Sequence, residues 1–273
     1  MAANEPGRRV EVLAGELRSM GSVCIAFSGG IDSTLLAKVA HDTLGDKMAA
    51  ITILSRFVPQ SEASEAAAWC ASEGIRHETI SVNELTIPHF SENPPDRCYH
   101  CKHALFSRML TWSEEHGFAA LAEGSNVDDE GDYRPGMRAI AELGVRSPLR
   151  DAGFSKRDIR EAARSLGVPY WNKPSAACLA SRIPYGETIT AEKLAMVERA
   201  EEYLHDQGFS QLRVRMHGTK GSVARIEVPE HEIARLMERE TREKVTHYLR
   251  GLGFAYVAVD TTGFRSGSMN EAL

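Results

Sequence analysis

Long apolar runs, excess positive charge and an even cysteine set are all missing from this 273-residue chain, and each gap removes a class of function. No apolar stretch approaches the roughly 18 to 20 residues that a bilayer-spanning helix needs. The opening Met1-Ala2-Ala3-Asn4-Glu5-Pro6 lacks a basic stretch followed by an apolar one, so no secretory leader is read there. A cytoplasmic address without a membrane partner is the expectation. A formal net charge of −6 argues against a standing nucleic-acid partner, which needs a basic surface to replace counterions. Five cysteines, an odd number with one close pair, do not make the disulfide framework of a small secreted domain. What remains, at 42% hydrophobic and 26% charged residues, is a globular chain long enough for a substantial core and two domains. There is no internal repeat and no low-complexity tract.

Two familiar nucleotide signatures are also absent. Ser28-Gly29-Gly30-Ile31-Asp32-Ser33 has no lysine before a final Ser or Thr, as a Walker A loop would, and no GxGxxG spacing. It follows the apolar run Val23-Cys24-Ile25-Ala26-Phe27 and precedes the helical-looking Thr34-Leu35-Leu36-Ala37, which describes strand, tight turn and helix start. Glycines let the backbone approach an anion, and the first amides of a helix are unpaired donors at the positive end of its dipole. Ser28 and Ser33 add hydroxyls. Asp32 is repulsive in an anion site unless a cation intervenes, so it is expected to face Mg²⁺ or an ammonium group. An ordinary strand-to-helix turn is the plain alternative. SGGxDS after a strand resembles the PP-loop of the N-type ATP pyrophosphatases, which cleave ATP to AMP and pyrophosphate while adenylating a substrate. That superfamily includes amide-forming synthetases, tRNA-thiolating enzymes and small-molecule sulfur transferases.

Residues 23–27, 49–54, 76–82 and 119–122 read as short strands between helical stretches near 33–43, 60–73, 102–116 and 135–143. Such alternation implies α/β architecture with a Rossmann-like parallel sheet, and nucleotides bind at the carboxyl ends of its strands. Residues 28–33, 55–57 and 123–129 all fall there. The pattern breaks near Val168-Pro169-Tyr170-Trp171-Asn172-Lys173-Pro174, which places a boundary between domains 1–172 and 173–273. The second reads as a smaller α+β unit: helix 191–207, strand 210–216, a turn at 218–221, strand 222–228, helix 230–250 and strand 254–260.

Cys98-Tyr99-His100-Cys101 follows the proline-rich Asn93-Pro94-Pro95-Asp96-Arg97, and a helix is expected from Lys102. Two thiolates at that spacing can grip one metal or cluster, and Cys178 lies in an irregular segment able to supply a third ligand. A structural zinc with His100 or His103 as fourth ligand, three unrelated thiols, or a [4Fe-4S] cluster with one open iron all satisfy this pattern. A thioredoxin-like redox pair does not fit its surroundings. Cys24 and Cys70 read as small buried hydrophobes.

Taken together, SGGIDS, Pro95-Asp96-Arg97-Cys98-Tyr99-His100-Cys101-Lys102, Glu123-Gly124-Ser125-Asn126-Val127-Asp128-Asp129, Gly131-Asp132-Tyr133-Arg134-Pro135-Gly136 and Gly144-Val145-Arg146-Ser147-Pro148-Leu149 resemble the LarE sulfur transferases. The likeness continues through 174–182, through Arg213-Val214-Arg215 and into the tail Gly263-Phe264-Arg265-Ser266-Gly267-Ser268-Met269-Asn270-Glu271. The resemblance implies a PP-loop ATP pyrophosphatase domain. It also implies ATP-dependent adenylation of pyridinium-3,5-biscarboxylic acid mononucleotide and sulfur insertion, on the way to a nickel-pincer nucleotide cofactor. One branch of the family sacrifices a cysteine in the position of Cys178; another carries a CxxC with that cysteine and holds a [4Fe-4S] cluster. All three cysteines are present, so the cluster branch with an upstream sulfide source is favoured and the sacrificial route stays open. The resemblance further implies a homo-oligomer.

On this reading the amides of residues 29–33 hold the β,γ-phosphates and Asp32 positions Mg²⁺. Lys102 neutralises developing charge, or is a solvated lysine at a helix start. Gly124, Ser125 and Asp128 line the adenylate pocket, with Ser55 as an adenosine candidate, while Asp129 and Asp132 cap a loop. Arg213 and Arg215 alternate on one strand, a fork for the substrate's phosphate that Arg182 can join. Their plain alternative is salt bridging with the acidic helices around Glu201 and Glu230. His217 and His231 receive no role. The rivals are a tRNA thiouridine synthase, an amide-forming synthetase using free ammonia, and a non-catalytic nucleotide- or metal-binding module with a zinc-stapled loop.

Overall fold

Val23, Cys24 and Ile25 are fully buried, and their side chains divide between two clusters: Val23 and Ile25 pack with Leu13, Leu17, Leu35 and Leu36, whereas Cys24 meets Ile51, Phe106, Met109 and Leu121. A strand whose alternate residues both find apolar neighbours belongs to a sheet covered by helices on both faces. The computed structural model describes residues 5–55, 60–129, 135–169, 171, 178–218, 222–265 and 267–272, and resolves them into two compact units.

In the first unit, residues 1–84 and 98–176, the strands are β1 (Val23–Ala26), β2 (Met48–Ser55), β3 (His77–Val82) and β4 (Ala120–Ala122). They form a parallel sheet in the order β3-β2-β1-β4, with Val23 opposite Met48 and Ala120, and Ala50 opposite His77. Its helices are α1 (Glu5–Met20), α2 (Ile31–Leu44), α3 (Gln60–Glu73), α4 (Arg97–Glu115), α5 (Pro135–Glu142), α6 (Pro148–Asp151) and α7 (Lys156–Ser165). Leucines 13, 17, 35 and 36 are wholly excluded from solvent, and each stabilises the layer by about 1.5–3 kcal/mol of transfer free energy. Strand order reverses between β1 and β4, which opens a crevice at their carboxyl ends. The expected Rossmann-like sheet is therefore present. Cys24 and Cys70 both lie in its core, where burial pushes their thiols up to about 12.

Several helices differ from expectation. Helix α4 starts at Arg97 rather than Lys102, because Pro94 and Pro95 stand before its first turn, where a missing N–H breaks no helical bond; Arg97 N–H bonds the Pro94 carbonyl at 2.9 Å. Helices α1 and α7 had no counterpart in the sequence reading. Ser155 and Asp158 form a reciprocal capping box that starts α7.

The second unit comprises residues 85–97 and 177–273. Its strands β5 (Arg213–His217), β6 (Val223–Glu227) and β7 (Tyr256–Val259) lie in that order, β5 antiparallel and β7 parallel to β6. Helices α8 (Ala191–Asp206), α9 (Glu230–Met237) and α10 (Arg239–Gly251) complete it. The single helix expected over 230–250 breaks at Glu238, whose ψ of 140° is extended. The expected turn at 218–221 falls at residues 219–221 outside the described residues, as do Phe57, residues 131–134, residues 172–177 and Ser266. Asn93 is fully buried and donates to the Ile183 and Pro184 carbonyls at 3.2 and 2.6 Å, fastening segment 85–97 within this unit. No helix among the described residues is long and apolar enough to cross a membrane.

Candidate active site

Strand β1 ends at Ala26, and residues 27–30 turn the chain into α2. Gly29 takes φ +71°, a left-handed conformation that side chains disfavour, and a Cβ there would stand 3.3 Å from Ala66 Cβ. Gly30 is the N-cap of α2 and no side chain caps it, so the helix's first amides are left for a ligand. The serines shape the turn from inside: Ser33 Oγ donates to the Gly30 carbonyl at 3.0 Å and lies 3.2 Å from Ser28 Oγ. Ser28 Oγ also accepts from the Gly30 amide at 3.4 Å. An uncapped turn of this kind at the positive end of a helix can cradle an anion.

Beyond β4, Gly124 closes on the same turn. A Cβ at that position would meet the Ser33 amide nitrogen at 3.0 Å and Asp32 Cβ at 3.2 Å. Ser125 and Asp128, by contrast, are occupied with structure. Ser125 Oγ and Ser147 Oγ donate to the two oxygens of buried Glu123, at 2.8 and 2.6 Å. Asp128 Oδ2 accepts the Lys156 amide at 2.7 Å and so holds the start of α7, while Asp129 Oδ2 accepts the Asn126 amide at 3.0 Å. Ser55 ends β2 and hydrogen-bonds Glu84, a buried carboxyl raised above its usual range by that burial.

Asp32 Oδ2 pairs with the Lys156 ammonium, whereas Oδ1 is buried without a hydrogen-bond partner. Burial pushes this carboxyl up and the Lys156 charge pulls it back. A buried carboxylate oxygen left unsatisfied at a helix start suits a cation such as Mg²⁺. Lys156 was missed in the sequence, although the Ser155-x-x-Asp158 capping signature marks the helix that presents it.

Cys98 and Cys101 occupy the first turn of α4, three residues apart and thus on one face, each half-buried. Cys178 is exposed in the second unit, at the N-cap of a 3₁₀ turn (Leu179–Arg182). All five cysteines are outside disulfides. Among the described residues, no group of three or more His, Cys, Asp or Glu side chains gathers to hold a metal ion. His100 and His103 flank Tyr99, with ring centroids 5.4 and 5.8 Å away. Lys102 runs past α5: a Cβ on Gly136 would stand 2.7 Å from Lys102 Cδ.

Within the second unit, the three candidate arginines separate into two kinds. Arg182 is bidentate to Glu201 at 2.8 Å for each bond, and Arg215 Nη2 bonds Glu227 at 2.9 Å; both arginines are buried. Glu201 also accepts the Val214 amide at 2.9 Å, and Glu227 accepts Ser268 Oγ at 2.9 Å. These are interior pairs, not the surface bridges of the plain alternative, and Glu230 takes no part among the described pairs. Arg213 donates to the Leu212 carbonyl at 2.6 Å and lies over the Phe264 ring at 5.1 Å. Burial and the charge of Arg182 push its guanidinium down to about 10. It lines a cavity of about 200 Å³ together with Arg97, Arg215, Arg265, Tyr185 and Phe264, and no carboxylate is among the described lining residues. Such a cavity suits an anion. His217 accepts from Arg225 Nε at 3.1 Å, which leaves it a local structural role.

Residues 8–105 match the family described as NAD synthase. The chain is 42% identical over 249 residues to an uncharacterized protein of Synechocystis sp., covering 91% of this chain and 92% of that one. It is 39% identical over 262 residues to the pyridinium-3,5-bisthiocarboxylic acid mononucleotide synthase of Lactiplantibacillus plantarum, covering 96% and 93%. An uncharacterized protein of Methanocaldococcus jannaschii is 29% identical over 247 residues, covering 89% and 91%.

Proposed function

The chain belongs to the family of pyridinium-3,5-bisthiocarboxylic acid mononucleotide synthases, PP-loop enzymes that use ATP, and from that premise we propose its reaction. It adenylates a carboxylate of pyridinium-3,5-biscarboxylic acid mononucleotide and exchanges the activated oxygen for sulfur, giving a thiocarboxylate for a nickel-pincer nucleotide cofactor. The observation that carries this reading is the uncapped helix start at Gly30, closed over by Gly124 and bordered by an unsatisfied Asp32 oxygen.

A carboxylate is a poor electrophile. Its oxygen attacks the α-phosphorus of ATP, pyrophosphate leaves, and the resulting acyl adenylate carries AMP as a good leaving group. The amides of residues 29–33 hold the departing β,γ-phosphates, and Gly124 keeps the crevice wall close to them. Asp32 would hold Mg²⁺, which when bound offsets phosphate charge. Lys102 neutralises charge on the adenylated group in this reading. Ser125, Asp128 and Ser55 act at one remove, fixing Glu123, α7 and Glu84 around the crevice. Arg213 takes the substrate's phosphate in the arginine-lined cavity, with Arg182 and Arg215 holding the surrounding walls. The domains divide this work, residues 1–172 binding nucleotide and 173–273 binding substrate and joining subunits in a homo-oligomer.

The thiol pair on one face of α4 supports sulfur chemistry. Cys98, Cys101 and Cys178 are a thiolate donor set of the kind that would hold a [4Fe-4S] cluster, which when bound supplies a sulfide to the acyl carbon. A second reading is favoured by the exposure of Cys178, whose carbonyl is held by Arg182 at 3.2 Å. There its thiolate attacks the acyl carbon, AMP leaves, and elimination across Cα–Cβ releases the thiocarboxylate and leaves dehydroalanine. The test is pyrophosphate release under anaerobic conditions: it is expected only when ATP, Mg²⁺ and the biscarboxylate are all present. Release independent of the biscarboxylate would contradict the reading.

A further inference from the structure

We propose that Arg97 is the positioning residue for Cys178, joining the turn that presents the thiol to the wall of the arginine-lined cavity. This rests on the reaction read above, which gives Cys178 its part, and every residue that fixes the turn lies in the second unit. Arg97 is buried, and its Nη1 donates to Asn93 Oδ1 at 2.6 Å and to the Ala180 carbonyl at 3.0 Å. Ala180 belongs to the 3₁₀ turn Leu179–Arg182, of which Cys178 is the N-cap.

Three buried guanidiniums hold carbonyls of that turn. Arg182 Nη1 donates to Cys178 at 3.2 Å, Arg97 to Ala180, and Arg215 Nη1 to Ser181 at 3.0 Å. Arg182 and Arg215 are fixed in turn by Glu201 and Glu227. Arg97 is fixed through Asn93, a wholly buried residue at φ +55°, a left-handed conformation that is costly without glycine. The Asn93 side-chain amide grips the Ile183 and Pro184 carbonyls, and its backbone carbonyl accepts the Gly186 amide at 2.8 Å. One residue thus clasps 183–186 while its side-chain oxygen aims Arg97 at Ala180. The exposed cysteine stands on a braced base.

Arg97 also faces the cavity, whose wall it shares with Arg213, Ser181 and Ile183, and it lies over the Tyr185 ring at 5.8 Å. A phosphate held there by Arg213 is therefore located against the same guanidinium that locates Ala180. The planar fork of a guanidinium carries five N–H donors and can brace a carbonyl while facing an anion, whereas an ammonium on a flexible stem holds no such fixed geometry. Adenylation makes no demand on the placement of Cys178. Sulfur delivery does, because reacting groups must come within about 3–3.5 Å in the right direction.

The experiment has two arms, both on the full chain. In chelator, iodoacetamide labelling mapped by peptide mass spectrometry should run about threefold faster at Cys178 in Arg97→Lys, and likewise in Asn93→Gly, which keeps the left-handed backbone but removes the clasp. With ATP, Mg²⁺ and the biscarboxylate under anaerobic conditions, Arg97→Lys should release pyrophosphate at close to the parent rate yet form about tenfold less thiocarboxylate per pyrophosphate. A merely structural role would lower both products together. Circular dichroism checks folding, and Asn93→Gly carries both arms should the lysine variant fail to fold. Parent-like labelling of Cys178 in the folded variants, or an unchanged ratio of thiocarboxylate to pyrophosphate, would overturn the proposal. A parent protein that releases no pyrophosphate with the biscarboxylate would overturn the reaction instead, while the labelling arm still decides whether Arg97 holds Cys178.

Discussion

Gly124 lies so close to Asp32 that a Cβ at position 124 would stand 3.2 Å from Asp32 Cβ and 3.0 Å from the following amide nitrogen. One of these neighbours is backbone, which cannot rotate away. Gly124→Ala must therefore push the β4 loop and the cradle apart. We expect a stability loss of about 1–3 kcal/mol and a drop of at least tenfold in ATP-dependent pyrophosphate release. Urea unfolding and a pyrophosphate assay check it; parent-like release would detach Gly124 from the site.

Gly136→Ala separates activity from stability in the opposite sense. Its new Cβ would meet Lys102 Cδ, 2.7 Å away, a flexible side chain that can be displaced. Alanine is also the better helix former at this first-turn position of α5, by less than the roughly 1 kcal/mol of a helix interior. The expected variant is as stable as its parent or more so, yet shares the turnover defect of Lys102→Ala. Full turnover in both would return Lys102 to a solvated surface role.

The arginines give a contrast within one unit. Removing Arg182 leaves Glu201 buried and unpaired, which costs about 3–5 kcal/mol. Arg182→Ala should thus lower the unfolding midpoint sharply. Arg213→Ala should leave the midpoint nearly unchanged and raise the substrate KM at least tenfold. Equal stability losses would remove Arg213 from the binding cavity's function.

His77 links pH to the cradle's foundation. Its Nε2 donates to Thr52 Oγ1 at 2.8 Å, and Thr52 donates to the carbonyl of Phe27, the residue before the cradle, at 2.8 Å. Burial lowers the imidazole below its ordinary 6.5. Between that lowered value and 6.5 the unfolded chain binds more protons, so this stability is whole above pH 6.5 and is lost as pH falls through the folded value. His77→Gln should flatten the decline in melting temperature between pH 7 and pH 5. An unchanged slope would assign the decline to other groups.

Much of the nucleotide half was legible because its signals are local. The apolar run at 23–27 followed by Ser28-Gly29-Gly30 could only be a buried strand and tight turn, and Gly124 stood at the end of another strand. The roles of Ser125 and Asp128 were not legible, since their partners, Glu123 and the amide of Lys156, are set by how β4 meets α6 and α7. Arg213 and Arg215 illustrate the same limit. Two-residue spacing put them on one face, but the buried carboxylate that claims Arg215 lies across the sheet on β6. Lys156 escaped notice because a lone lysine carries no signal; only the capping box beside it did.

The central claim is sulfur insertion by this chain, and the most direct measurement is mass spectrometry of the biscarboxylate after anaerobic incubation with Mg²⁺, ATP and sulfide. We predict one oxygen replaced by sulfur in each reacted carboxylate, with AMP and pyrophosphate formed in step and the product lost in Cys178→Ala. Recovery of unaltered biscarboxylate, with ATP consumed or not, would contradict the account.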